Sequence, residues 1–333
     1  MRSFPKEIHK ILLVQTAFIG DVILSTALLE NIHQQYPDAL LEVLVRKGNE
    51  SLFQDHPFIH KVIVWDKKNK YSDLLRVIKV VRKNQYDLLI NLQRFFSAAL
   101  ISILSSAKYT IGFSSSLISG FYDKRVKHQI GTDSKLHEIE RNYQLLSECI
   151  DLPMCKPKLY PPKDISIETA QPYICIAPAS VWFTKKLPAE KWIEFLNQWQ
   201  GTPRVYLIGG PEDRYLCDQI INTSSFENCI NTAGALSLLE SAALMKNAQM
   251  NYVNDSAPLH LCSAVNAPVT AVFCSTIPEF GFGPLSDVSF IVQSNPIPSC
   301  KPCGLHGKNQ CPQRHFDCSR IEVQDLIIKA DPG

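Results

Sequence analysis

Short, uninterrupted apolar runs alternate with stretches of helical period along the first half of the chain. The runs ILLVQ (11–15), LLEVLV (40–45), KVIVW (61–65), YDLLINL (86–92) and YTIG (109–112) have strand length and are rich in Val, Ile and Leu. Runs of this kind, without polar alternation, mark strands covered on both faces, as in a parallel sheet. Between them the spacing of apolar positions predicts helices over 21–35, 72–84, 94–106 and 136–149. This half reads as a doubly wound α/β domain.

A proline-rich stretch, LPMCKPKLYPPKD (152–164), breaks the pattern and reads as a linker. Alternation restarts at YICIA (173–177). The helix PAEKWIEFLNQW (188–199) places Pro188 in its first turn, where a missing N–H costs nothing, and stacks Trp192, Phe195, Leu196 and Trp199 on one face. Strand RVYLI (204–208) leads through GGPED to another helix, and LSLLESAALMKNA (236–248) opens with Ser237 and Glu240 at capping-box spacing. MNYVN (250–254) and VTAVF (269–273) follow, the latter being the last strand expected. The expected architecture is α/β: two Rossmann-like domains with doubly wound parallel sheets, residues 1–160 and 161–333, facing a cleft at the carboxyl ends of their strands.

Composition agrees with two cores. The 333 residues are 45% hydrophobic and 20% charged, as in ordinary globular proteins. A net charge of +2 conceals an asymmetry: 23 Lys and Arg against 17 Asp and Glu in 1–165, and 11 against 15 in 166–333. The first half is the one suited to an anionic partner. The basic start MRSFPKEIHK before ILLVQTAFIG has the outline of a secretory signal, but Asp21 interrupts it and no small-x-small cleavage site follows. The longest apolar segment, FFSAALISILSSA (95–107), falls short of the ~20 residues of a membrane helix, so a cytoplasmic chain is expected. No glycine-rich dinucleotide fingerprint, P-loop, nucleophile elbow or zinc-protease motif occurs. Basic residues are not interleaved with stacking aromatics, so no nucleic-acid partner is expected.

Three loops carry candidate chemistry. In FIGDVILSTAL (18–28), Asp21 follows Gly20 at the start of a helix. It serves either as a cap and dipole partner, worth ~1 kcal/mol, or as a general base aimed into the cleft; a capped carboxylate stays ionised, so both roles are compatible. In APASVWFTKKLP (177–188), Ser180, Thr184, Lys185 and Lys186 stand between a strand end and a helix start, a place where anions bind, although paired lysines also occur simply as solvated charges. In NDSAPLHL (254–261), Asp255 and Ser256 follow a strand, Pro258 opens a helix and His260 lies on its first turn. Ser256 and Ala257 are small enough to leave N–H groups open to a diphosphate. The alternatives are an Asp255 cap and a core-packed His260.

Near the end, CKPCGLHGKNQCPQRHFDC places Cys300, Cys303, Cys311 and Cys318 as C-x2-C-x7-C-x6-C, within the Cys-rich tail 300–318. The spacing resembles a structural zinc knuckle, and reduced structural or redox thiols are the alternative. Disulfides are disfavoured in a cytosolic chain.

Taken in order, FIGDVILSTAL, TKKLPAEKW, LIGGPED, TAGALSLLESAALMKNA and NDSAPLHLCSAVNAPVTAVF resemble the ADP-heptose:lipopolysaccharide heptosyltransferases, glycosyltransferase family 9. The resemblance runs through nearly the whole chain. It implies a GT-B fold, with an acceptor-binding N-terminal domain and a nucleotide-sugar-binding C-terminal domain. It also implies inverting transfer of heptose to the lipopolysaccharide core, with no cofactor required. By motif, Asp21 matches the proposed general base and Lys185 the lysine that contacts the donor phosphates. Asp255, Ser256, Ala257 and His260 match the segment that cradles the ADP-sugar, and Ser180 and Thr184 join the donor loop. The chain departs from the family at Gln15 (often arginine), Ala179 and Ala257 (usually glycine) and Leu187 (tryptophan). The implied partners are an ADP-heptose-like donor and an anionic glycolipid acceptor. The helix over 72–84, with Leu74, Val77, Ile78 and Val81 on one face and Arg76, Lys79 and Lys83 turned outward, reads as an ordinary solvated amphipathic helix. Peripheral contact with the inner membrane through its basic face is the alternative. Other readings are a GT-B enzyme using another nucleotide sugar for a surface glycan, and a non-catalytic nucleotide-sugar-binding protein.

Overall fold

The computed structural model describes residues 2–131, 134–147, 149–169, 172–201 and 203–327. The chain divides into two compact units, Met1–Ile130 with Leu136–Tyr160, and Gly131–Lys135 with Pro161–Gly333.

The first unit runs β1 (Lys10–Gln15), α1 (Ile19–Gln35), β2 (Leu40–Arg46), β3 (Ile59–Trp65), α2 (Lys70–Lys83), β4 (Leu88–Asn91), α3 (Phe96–Ile103), β5 (Tyr109–Phe113), β6 (Lys124–Val126) and α4 (Glu138–Gln144). Its strands form one parallel sheet in the order β3-β2-β1-β4-β5-β6. The apolar runs of β1, β4 and β5 are buried along their length because helices cover both sheet faces. The apolar face of α2 packs on Leu12, Val14 and Trp65 through Val77, Ile78 and Val81. The helix expected over 136–149 is shorter, and Glu148 lies outside the described residues.

The stretch 152–164 is not a free linker up to Tyr160. It is strapped onto α1, whose Thr26, Glu30 and Asn31 are buried beneath it. Asn31 Nδ2 donates to the Pro153 carbonyl at 2.9 Å and Asn31 Oδ1 accepts from Cys155 N–H at 3.0 Å. Thr26 Oγ1 accepts from Lys158 N–H at 2.9 Å, and the Tyr160 hydroxyl donates to Glu30 at 2.8 Å. Proline rings leave few N–H groups of their own, so helix side chains satisfy the strap's main chain.

At the end of the strap His56 lies edge-on to Phe58 (4.5 Å) and Tyr160 (4.7 Å), and neither ring nitrogen has a hydrogen-bond partner among the described residues. Burial, with His33 and Lys158 nearby, pushes its pKa down to about 4 from 6.5. The unfolded chain therefore takes up a proton that the folded one refuses, and the stability this residue contributes above pH 6.5 is lost as pH falls from 6.5 towards 4. His56→Phe is expected to flatten the fall of urea-unfolding stability over that window; an unchanged slope would assign the acid sensitivity to other groups.

The second unit runs β7 (Tyr173–Ala177), α5 (Ala189–Gln198), β8 (Arg204–Leu207), α6 (Arg214–Thr223), β9 (Cys229–Asn231), α7 (Leu238–Lys246), β10 (Asn251–Asn254), α8 (Ala257–Val265), β11 (Val269–Val272), β12 (Ser289–Val292) and α9 (Val323–Ile327). Its parallel sheet has the order β12-β11-β10-β7-β8-β9, the same winding as the first. VTAVF is not the last strand: β12 adds to β11 at the edge, half-buried and so without a clear apolar signature. The α5 stripe packs as its spacing predicts. Trp192, Phe195 and Leu196 are fully buried, and Phe195 meets Tyr252 at 4.7 Å and half-buried Trp199 at 5.5 Å. The expected capping box of α7 is present, with Ser237 Oγ accepting from Glu240 N–H.

Candidate functional site

In the second sheet β7 and β10 are neighbours, and the chain winds away from them in opposite directions. The loops leaving their carboxyl ends emerge side by side at this switch point, where open α/β sheets bind ligands. Loop 178–188 leaves β7, and Asp255 with α8 follows β10.

The two loops meet through charge. Lys185 Nζ lies 2.7 Å from Asp255 Oδ2, with side chains 16% and 5% exposed. The Thr276 hydroxyl, from the loop after β11, donates to the same carboxylate oxygen. Asn254, the last residue of β10, sews the loops together: its Oδ1 accepts from Leu187 N–H at 2.9 Å and its Nδ2 donates to the Pro178 carbonyl at 2.8 Å. An ammonium has three donors and Asp255 occupies one, so Lys185 is oriented without being exhausted. Asp255 itself, buried between Lys185 and Thr276, holds the cation in place.

Ser256 stands at the N-cap of α8 with no side-chain cap bond, and Ala257 begins the helix; both are half-buried. Their end of α8 carries the helix's positive pole beside Lys185. Ser180 is half-buried in the β7 loop, and His260 is buried in the first turn of α8.

Thr184 is 1% exposed, and its hydroxyl is taken by Ser275 Oγ at 2.9 Å and by Lys308 N–H at 2.8 Å. Its oxygen accepts both bonds, which tie Thr184 to the β11 loop and to the tail within the unit. Sequence reasoning also missed Asn254, Ser275 and Thr276, polar residues at strand ends whose partners lie on other loops.

In the first sheet β1 and β4 are the neighbours at the switch point, and Asp21 follows β1. The helix begins earlier than expected, at Ile19, so Gly20 is helical and Phe18, not Asp21, occupies the N-cap. Asp21 is the acidic residue of the first turn, half-buried, where it complements the helix dipole. Its loop is pinned from several sides: Lys67 Nζ donates to the Thr16 carbonyl at 2.6 Å and Asn49 Nδ2 to the Ala17 carbonyl at 3.1 Å. Gln15, where the family often has arginine, pairs with Gln93 on the carboxyl side of β4 and accepts from Ala17 N–H at 3.3 Å. The Arg46 guanidinium lies 5.1 Å over the exposed Phe18 ring. Burial, and then Arg46, lower the Lys67 pKa to about 8. The base candidate thus shares its loop surroundings with two cations.

The zinc knuckle expected at Cys300, Cys303, Cys311 and Cys318 finds no ready-made ligand set. Among the described residues no group of three His, Cys, Asp or Glu side chains could hold a metal. Cys318 is buried in the core with Ile321, Val323 and Leu326, and burial beside the other thiols pushes its pKa up to about 11. Cys300 lies 3.8 Å from His315 Nε2. Among the described residues no helix is long and apolar enough to cross a membrane.

The chain is similar to known proteins in sequence and in fold. The sequence model of "Glycosyltransferase family 9 (heptosyltransferase)" matches residues 74–311. Lipopolysaccharide heptosyltransferase 3 of Escherichia coli is 27% identical over 281 residues, 78% of this chain and 82% of that protein. Lipopolysaccharide core heptosyltransferase OpsX of Haemophilus influenzae is 25% identical over 284 residues, 82% of this chain and 81% of that one. Among solved structures, a glycosyl transferase family 9 protein from Veillonella parvula superposes with TM-score 0.79 at 19% identity, over 97% of this chain and 96% of that one. E. coli ADP-heptose LPS heptosyltransferase II gives 0.75 at 20%, over 96% and 98%. With the family model spanning most of its length and the fold shared throughout, this chain belongs to glycosyltransferase family 9 and is a glycosyltransferase of GT-B fold.

Proposed function

We propose that the protein transfers a heptose from an ADP-heptose-like donor to a lipopolysaccharide core acceptor, with inversion at the anomeric carbon. The observation that carries the reading is the Lys185–Asp255 pair beside the N-terminus of α8, a cation and a helix pole at the switch point of one sheet. The names of the relatives, lipopolysaccharide heptosyltransferase 3 and the core heptosyltransferase OpsX, support heptose and the core as substrates. The second unit binds the donor. The first binds the acceptor, and its cations Arg46 and Lys67 suit an anionic glycolipid.

Asp21 takes the proton from the acceptor hydroxyl as its oxygen bonds to the anomeric carbon. The bond from that carbon to the diphosphate oxygen breaks, and ADP leaves with the electron pair. Lys185 and the first N–H groups of α8 meet the charge on the departing diphosphate, so transfer needs no metal. The exposed basic residues of α2, Lys79, Arg82 and Lys83, suit peripheral contact with an anionic inner-membrane surface from the cytoplasmic side.

The test is incubation with ADP-heptose and a truncated, Kdo-bearing lipid A, read by mass spectrometry with and without chelator. A product heavier by one heptose in both arms is expected. Product only from a UDP-sugar, or only when metal is left in, would overturn the donor or the metal-free part of the reading.

A further inference from the structure

The Cys-rich tail does more in this fold than follow the last strand. We propose that its segment 301–308 is a positioning element for Lys185, so that the tail forms part of the donor site; this rests on the reading that Lys185 meets the donor diphosphate.

Lys185 ends a single turn, Phe183–Lys185, in the long loop after β7, and such a loop does not by itself hold a lysine stem still. A free lysine loses side-chain rotamer entropy when it is fixed, so something must hold it. Asp255 fixes the ammonium end. The tail fixes the other end. Thr184 N–H donates to the Lys308 carbonyl at 3.0 Å, and Lys308 N–H donates back to Thr184 Oγ1 at 2.8 Å, a two-way clasp on the residue before Lys185. Ser275 Oγ closes the clasp from the β11 loop at 2.9 Å, and Cys303 N–H donates to the Ser275 carbonyl at 3.0 Å. Buried Lys301 anchors the start of the segment by donating to the Phe273 carbonyl at 2.6 Å.

Gly307 is the decisive contact. A Cβ there would stand 2.4 Å from Trp182 Cβ and 2.9 Å from Lys185 Cγ. Carbon atoms do not approach that closely, so only glycine lets the tail lie directly along the lysine stem. Any larger residue must displace the tail, Trp182 or the Lys185 stem.

The experiment is a double-mutant cycle on ADP binding by calorimetry, with thermal unfolding recorded for every variant. Gly307→Ala and Thr184→Val are each expected to weaken ADP ~10-fold, and Thr184→Ser to restore wild-type affinity. In the Lys185→Ala background, Gly307→Ala is expected to weaken ADP no further. Wild-type affinity in both Gly307→Ala and Thr184→Val, or the same loss from Gly307→Ala with and without Lys185, would overturn the inference alone. Should Gly307→Ala fail to fold, the Thr184→Val and Thr184→Ser pair decides in the same way, with Thr184→Val combined with Lys185→Ala. Lys185→Ala binding ADP as tightly as wild type would overturn the donor reading itself, and this inference with it.

Discussion

Asp21→Ala is expected to lower the transfer rate ~10²–10⁴-fold, the usual contribution of a positioned general base, while the unfolding temperature stays close to wild type. The separation follows from local structure. Asp21 is in the first turn of α1, where an acidic side chain contributes ~0.3–1 kcal/mol through the helix dipole. The rest of that helix is anchored by buried Val22, Ile23, Leu24, Leu28 and Leu29, and the loop before it by Lys67, Asn49 and Gln15. Asp21→Asn should behave like alanine in turnover, because an amide does not accept the proton. Steady-state kinetics with a fixed acceptor, beside a thermal melt, checks both halves. Retained turnover with a lowered melting temperature would leave Asp21 only its dipole role.

Lys185→Ala is expected to lower turnover ~10²–10³-fold, as loss of one preorganised charge partner does, and here stability should fall as well. From sequence alone the substitution looks structurally harmless, a lysine in a loop. The structure makes it one half of a largely buried pair, so its removal strands the Asp255 carboxylate with Thr276 as its remaining partner in the site. Breaking such a pair costs ~3 kcal/mol, the lower edge of the range for fully buried ions, since Lys185 keeps some exposure. Removing both charges in Lys185→Ala/Asp255→Ala should recover most of that stability and none of the turnover. Chemical denaturation of the three variants measures the first effect, and product formation the second. Full stability in Lys185→Ala would mean that the pair is solvated and that Asp255 does not position the lysine.

These two predictions differ in how much of their basis is readable in the chain. The central strands β1, β4 and β7 announce themselves as apolar runs because both faces of a parallel sheet are covered. The stripe of α5 is equally plain, since a helix that buries one side repeats its apolar residues at fixed spacing. The edge strands β6, β9 and β12 are short and half-exposed, and they leave no such trace. Thr26, Glu30 and Asn31 look like the solvent face of α1 until the proline-rich strap is seen to need them.

By itself, then, the sequence determined the α/β class, the two-unit plan, the family motifs and the candidate loops, because these depend on periodicity and residue chemistry within a few neighbours. Only the tertiary structure decided which side chains answer one another: Lys185 with Asp255, Thr184 with the tail, Cys318 with the core. Those pairings join residues distant in the chain through sheet order and loop packing, and no local pattern of hydrophobic and polar positions carries that information.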